Sequence, residues 1–374
     1  MSMLLKSKVS IIRCNDYDPA GVKRSIKEAL DLIGGINTFV KKGQKVLIKP
    51  NLLSARLPEE AVDTHPEFVR AVASLVKAAG AIPAIGDSPG SFFTIKSIDE
   101  VYEKSGVKKV ADEEGIELLR FDKALHIDGY HIASAVKEYD LIINLPKLKT
   151  HTLAILTGAI KNTYGLVPGL SKVQHHKDAP HMKDFSRVIV DIFSITRPGL
   201  TIMDGIVGMD KNGPAAGRIR NIGLILAGAD AVSVDAVFAD IAGLDYSNNL
   251  VLKEATERGL GKGRLEDIDV VGVGLGPARI KDFKLPQTAL AYKFPAAIAK
   301  YIARLIDFRP VIDGARCKKC NICKTACPND AITINKNISK IDEIKCIRCF
   351  CCHEVCPHDC IYIKKNFLTS LMWR

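Results

Sequence analysis

Aromatic residues are scarce, at 6% of the chain's 374 residues, and no basic segment carries the interleaved aromatics of an RNA-binding surface. No apolar stretch reaches the roughly 18 residues that a spanning helix needs. The amino terminus, MSMLLKSKVS, has no apolar core before its charges resume, so a soluble cytoplasmic protein without a transmembrane segment is expected. There is no Walker A loop. Gly272-Val273-Gly274-Leu275-Gly276 lacks the spacing of a dinucleotide fingerprint, and Pro277 stands where a helix start should receive the pyrophosphate. Cysteine is nearly absent from most of the chain, with Cys14 alone before position 317.

What is present is uneven. Ten of the 11 cysteines lie between Cys317 and Cys360. In a secreted chain this would suggest disulfides; with nothing directing secretion, metal ligation is the better expectation. The length predicts two or three domains, and a hydrophobic fraction of 47% suffices for a large core. The formal charge of +11 is distributed in isolated pairs such as Lys41-Lys42, Lys108-Lys109 and Lys364-Lys365, the pattern of a solvated surface. Nucleic acid is not expected as a partner.

Through the first 275 or so residues, short apolar strands alternate with amphipathic helices, which predicts an α/β domain with a mostly parallel sheet and helices on both faces. Strands are expected at residues 9–13, 46–49, 82–86, 141–145, 200–203, 221–227 and 268–273. Helices are expected at 19–33, 97–104, 187–196, 229–241 and 250–258, with a further one opened by a Thr64-His65-Pro66-Glu67 capping box and closed by Gly80.

In such sheets ligands gather outside the carboxyl ends of the strands. The segments expected there are Lys49-Pro50-Asn51, Asp87-Ser88-Pro89-Gly90, Pro146 to His151, and Asp204-Gly205 running on to Gly213-Pro214. Each alone is ordinary turn chemistry; four on one edge point to a shared site. Between Tyr164 and Asp184 the chain lacks periodicity and carries His175, His176 and His181, which suggests a binding loop, with a histidine metal site as an alternative. Residues 276–311 read as a Pro-containing linker with a helix at 296–308, and 367–374 as an apolar tail.

The most specific signal is Cys317-x2-Cys320-x2-Cys323-x3-Cys327-Pro328, repeated 29 residues on as Cys346-x2-Cys349-x2-Cys352-x3-Cys356-Pro357. Three thiolates at this spacing wrap one cubane while the fourth, held beside a proline, points to the other cluster. Cys317, Cys320, Cys323 and Cys356 are therefore assigned to one [4Fe–4S] cluster, and Cys346, Cys349, Cys352 and Cys327 to a second. Zinc is the structural alternative, but it does not need four cysteines and a proline in each half. The halves share eight identities over 18 positions, so each is one unit of a pseudo-twofold α+β module. Cys351 and Cys360 fall outside the pattern as small buried residues. Two clusters at about −2 each offset much of the module's basicity, leaving the chain near +7.

Residues 312–365 resemble the two-cluster bacterial ferredoxin domain. The first 275 or so residues resemble the domain of unknown function 362 family, on Lys49-Pro50-Asn51, Gly158-Ala159-Ile160-Lys161-Asn162 with Tyr164-Gly165, Met203-Asp204-Gly205, Gly213-Pro214 with Gly217, and Asp230 with Val234-Asp235-Ala236. The resemblance implies no particular reaction.

The resulting expectation is a redox enzyme. Its clusters would relay single electrons from a soluble donor or redox partner protein to a small anionic substrate, or to an additional organic cofactor of unknown kind, at the strand ends. Lys49, Lys147, Lys149 and Lys161 would hold the anionic group as point charges, two of the four being expected to prove ordinary surface charges. Asn51 and Asn162 are candidate polar contacts, and Asp87, Asp204 and His151 or His175 candidate proton donors. The competing expectation is a non-catalytic electron carrier whose α/β domain docks a partner.

Overall fold

A computed structural model describes residues 6–90, 95–169, 171–179, 181–292, 308–336 and 338–365. Its strands are β1 (Ser7–Arg13), β2 (Lys45–Pro50), β3 (Ile82–Gly86), β4 (Glu117–Leu119), β5 (Ala124–Ile127), β6 (Tyr130–Ala133), β7 (Leu141–Leu145), β8 (Lys147–His151), β9 (Ile155–Leu156), β10 (Leu200–Asp210), β11 (Arg218–Gly228), β12 (Ile268–Gly272), β13 (Phe308–Ile312), β14 (Ile332–Ile334), β15 (Ser339–Ile341) and β16 (Ile361–Lys365). The main sheet runs β12-β1-β11-β10-β7-β2-β3-β4, with β8 on β10 and β9 on β8. Only β11 runs antiparallel to its neighbours in that order, so the expected mostly parallel α/β sheet is present.

Because β2, β3 and β7 are buried on both faces, they read as continuous apolar runs, Val46-Leu47-Ile48 and Ile142-Ile143 among them. One face packs on the helix Pro66–Ala78, whose Phe68, Val69, Val72 and Val76 are fully buried, each contributing about 1.5–3 kcal/mol. On the other face Leu47 and Ile142 pack on Phe121, Ala133, Ala135 and Leu166, and β1, β10 and β11 pack on the helices Met182–Thr196 and Ala231–Ile241. A separate cluster of Cys323, Ile332, Cys352, Val355, Cys356 and Ile361 forms the core of the small carboxy-terminal module.

Several local expectations are corrected. The helix at Pro66 is capped by His65, whose Nδ1 accepts from Glu67 N, while the Thr64 hydroxyl instead ties Asn51 N to Leu145 O. Residues 147–151 form a strand rather than a loop: β10 extends well past the end of β7, and its exposed edge pairs with β8 beyond the break at Pro146. Asp204-Gly205 accordingly lies inside β10, not after it. The supposed loop at 164–184 contains a helix, Ser171–Asp178, and the start of another at Met182. Phe308 begins a strand rather than ending a helix, since β13 pairs with β16. The helix expected at 296–308 otherwise lies outside the described residues, as does the 367–374 tail.

Candidate functional site

Lys49 ends β2 and Asp87 follows β3, so parallel neighbours bring them together at one sheet edge. The ammonium is 2.8 Å from Asp87 Oδ1 and 2.7 Å from Pro50 O, and both side chains are buried. Leu52 N and Ser88 N complete the carboxylate's partners. Gly165 closes over this pair. A Cβ there would sit 2.1 Å from Asp87 Oδ1 and 2.5 Å from Lys49 Nζ, so only glycine fits.

Beside the pair, Asn51 Nδ2 donates to Asn162 Oδ1, and Asn162 Nδ2 to Asn144 Oδ1, fixing the short helix Ala159–Asn162 against the strand ends. Asp235, from the helix Ala231–Ile241, accepts the amides of Ala159 and Ile160. Burial raises its pKa to about 7, despite those two amides. Gly158 gives it room, since a Cβ there would lie 2.1 Å from Asp235 Oδ1. Lys161 is thereby aimed into a cavity that Lys49, Asn51, Asp87 and Asn162 also line.

The opposite wall belongs to the cysteine module. Ala326, Cys351, Glu354 and Val355 close the same cavity, together with Lys172 and His176 from the helix Ser171–Asp178. The enclosed space is about 80 Å³, room for a small molecule, against roughly 300–1,000 Å³ for a drug-sized or cofactor site. Burial lowers Lys49 and Lys161, and lowers Lys172 to about 7.

Glu354 reaches across to His151, with Oε1 3.1 Å from Nε2. The contact lacks the alignment of a full hydrogen bond, and neither atom has another hydrogen-bond partner. His151 Nδ1 accepts two amides, Leu153 N and Ala154 N, which places the proton of the neutral ring on Nε2, facing Glu354. Burial lowers His151 to about 4. Burial works to raise Glu354, but His151, Lys161 and His176 outweigh it and hold the carboxyl down to about 2. Near pH 7 an ionised carboxylate therefore faces a neutral imidazole, with the Lys161 side chain nearby.

The remaining candidates are dispersed. Lys147 and Asp204 form a closed network, 2.7 Å apart and both bonded to the Tyr17 hydroxyl, away from the cavity wall. Lys149 donates to Val62 O, and burial draws it down and Asp63 up toward a common value near 7. Lys49, Lys147 and Lys149 are buried and Lys161 is half-buried at the cavity, so none of the four is an exposed surface charge as was expected of two; side-chain alternation puts Lys147, Lys149 and His151 on one buried face of β8. His175 packs against Tyr130 and Tyr164, and it is His176, stacked on Phe185 at 4.3 Å, that faces the cavity. Among the described residues no three His, Cys, Asp or Glu side chains converge as on a single metal ion, the 164–184 histidines included.

In the cysteine module the repeat is written into the backbone. Left-handed conformations at Lys319, Asn321 and Asp330 recur at Arg348, Phe350 and Asp359, and Asp313 and Asp342 cap the two loop starts alike. The thiols adding to the effect of burial on Cys323 are those of Cys356, Cys320 and Cys317, and on Cys346 those of Cys349 and Cys327. Cys352 is surrounded by thiols of both halves, Cys349, Cys346, Cys323 and Cys327, so the cysteines gather in one core. Cys351 and Cys360 are buried, the latter with its sulfur 3.3 Å from Cys356 Sγ.

Two contacts clamp the module to the sheet domain: Arg56 donates to Cys356 O and to Asp359, and His353 Nε2 lies 3.2 Å from Asn212 O. Sequence reasoning missed Arg56, Asp63, Lys172 and Glu354, and among the three loop histidines it favoured His175 over His176. For Glu354 a signal existed. Position 354 corresponds to Thr325 of the first half and position 353 to Lys324; the first-half residues are exposed, whereas His353 and Glu354 are buried.

The family described as domain of unknown function (DUF362) matches residues 46–240, a little over half of the chain, and a 4Fe–4S dicluster domain matches residues 309–357. A thylakoid-associated protein of Synechocystis is 35% identical over 244 residues, covering 63% of this chain and 75% of its own. The lactate racemase apoprotein from Thermoanaerobacterium thermosaccharolyticum aligns over 63% of this chain at 13% identity and a TM-score of 0.39. The chain spans 57% of that structure's chain.

Proposed function

Since the chain belongs to the domain of unknown function (DUF362) family and carries a 4Fe–4S dicluster domain, we propose that it is a ferredoxin-linked oxidoreductase acting on a small organic anion held in the cavity between the two modules. The carrying observation is the shared wall, strand-end lysines on one side and cluster-loop residues on the other. Bound iron–sulfur clusters, two on the proposed ligand assignment, supply single electrons.

The chain's own residues do the rest. Lys49, Lys161 and Lys172 bring three basic groups to the cavity, against the carboxylates of Asp87 and Glu354, a lining suited to a small anion. Lys49 is committed to Asp87, so Lys161 and Lys172 are the binding groups. Ala326 and Val355 give the cavity an apolar wall on the side of the cysteine module. Lys172, lowered to about 7, is placed to give up a proton as the substrate is reduced.

The carrier reading is disfavoured by the same wall: the sheet edge that would dock a partner is covered by the chain's own module. Among the described residues no helix is long and apolar enough to cross a membrane. We place the protein in the cytoplasm, with peripheral membrane attachment, as the relative's name suggests, the competing location.

The test is anaerobic purification with clusters intact, followed by mass spectrometry of any retained small molecule, repeated for Lys161→Met and Lys172→Met. The expected result is a retained small anion, lost in both variants with cluster spectra unchanged. Retention and turnover unaffected by both would place the site elsewhere.

A further inference from the structure

The two halves of the cysteine module face different surroundings. In the second half the helix Cys351–Val355 is buried along its whole length, with Cys351, Glu354 and Val355 at the cavity and His353 against Asn212. In the first half the equivalent turn is open: Cys320 is exposed, as are Lys324 and Thr325. The first ligand set is therefore the outward one and the second the inward one.

The outward loop also carries charge of one sign. Arg316, Lys318, Lys319, Lys324 and Lys336 are all exposed, and Asp330 is the only acidic residue between positions 316 and 336. The Lys319 ammonium donates to Lys336 O, so the hairpin joining β14 to β15 is drawn onto the cluster loop and its lysine joins the same face. Arg316, Lys318 and Lys324 make no ion pair among the described residues. Five cations around one half-buried and one exposed ligand thiol exceed what a cluster of about −2 neutralises, leaving a net positive field at the surface.

We propose that this loop is the docking surface for an acidic electron-transfer protein, which reduces the protein through the outward ligand set. The step moves one electron at a time. The carrier's reduced centre is oxidised by one electron, the outward cluster is reduced by one, and no bond or proton is exchanged. Opposite charge orients the carrier so that its centre meets Cys320, and raises the association rate by roughly 10- to 1,000-fold at low salt. This rests on the two-cluster relay proposed above, but cluster reduction needs no substrate, so the two readings fail separately.

The experiment is stopped-flow reduction of the cluster-loaded protein by a reduced, acidic plant-type [2Fe–2S] ferredoxin, with binding followed independently by anisotropy of the labelled ferredoxin. The variants are Lys318→Glu with Lys324→Glu, and separately Lys336→Glu, which lies outside the cluster loop; Lys319 is left intact because its left-handed backbone and its tie to Lys336 shape the loop. The expected outcome is at least a 10-fold slower association for the double variant at low ionic strength, a smaller loss of the same sign for Lys336→Glu, and convergence with the unsubstituted protein as salt rises. A viologen radical cation, bearing the opposite charge to the carrier, should reduce the variants no more slowly, which also shows their clusters intact. Ferredoxin association independent of salt and unchanged in both variants would overturn the proposal. So would binding to anionic phospholipid vesicles that the variants abolish while ferredoxin association stays unchanged.

Discussion

The Lys49–Asp87 pair offers the sharpest quantitative test of how the strand-end site is held. At 2.8 Å the gross attraction is about 6 kcal/mol for an effective dielectric near 20, most of it offset by taking both ions out of water. Lys49→Met leaves Asp87 with Leu52 N and Ser88 N but no cation, and Asp87→Asn leaves the ammonium with Pro50 O alone. Each single change should cost about 3–4 kcal/mol, the lower part of the range for breaking a buried pair, because backbone partners remain. The double variant removes both charges and should cost only about 1–2 kcal/mol, a coupling of at least ~4 kcal/mol. At about 2–4 °C per kcal/mol, each single variant should melt roughly 6–16 °C lower by far-ultraviolet circular dichroism of the anaerobic protein, with the double variant recovering most of that. A double variant losing the sum of the two singles would refute the pairing, and with it the assignment of Lys49 to structure rather than to ligand binding.

Acid stability should follow the buried histidines. His65 and His176, both lowered by burial to about 4, bind fewer protons folded than unfolded between about pH 4 and 6.5, so stability falls as pH drops through that window; His176→Phe, which keeps the stack on Phe185, should flatten that limb in urea titrations. Asp235 has the opposite sign. Its folded pKa is raised to about 7, so its contribution is lost as pH rises from about 4 to 7, and Asp235→Asn should lose stability less steeply than the unsubstituted protein over that range. Arg56→Ala removes the donor to Cys356 O and Asp359 and should speed hydrogen–deuterium exchange of the Cys351–Val355 amides several-fold, while cluster absorption is unchanged. Gly165→Ala should abolish ligand retention, since its Cβ would fall on Asp87 and Lys49.

How much of this was legible from residues alone depends on the range over which the determining forces act. The sheet was legible because buried parallel strands write themselves as local apolar runs, and Val46-Leu47-Ile48 and Ile142-Ile143 needed no partner to be recognised. The iron–sulfur module was legible because cluster geometry dictates the cysteine spacing of each loop. What stayed hidden was set by contacts between distant segments. Pro146 reads as the end of a strand, and nothing near it says that β10 extends far enough to give Lys147–His151 a second ladder. The lysines on polar segments read as anion-binding groups with two ordinary surface charges among them, yet Lys49, Lys147 and Lys149 are buried, because the counter-charge or acceptor of each comes from elsewhere: Asp87 for Lys49, Asp204 for Lys147, Val62 and Asp63 for Lys149. His175 and His176 are adjacent, and a one-residue difference on a helix decides which faces the cavity. The internal repeat carried the one long-range clue within reach. Where the second half replaces exposed Lys324 and Thr325 with His353 and Glu354, the departure from symmetry marks the face that packs on the sheet domain, and the half that kept its lysines is the one proposed to meet another molecule.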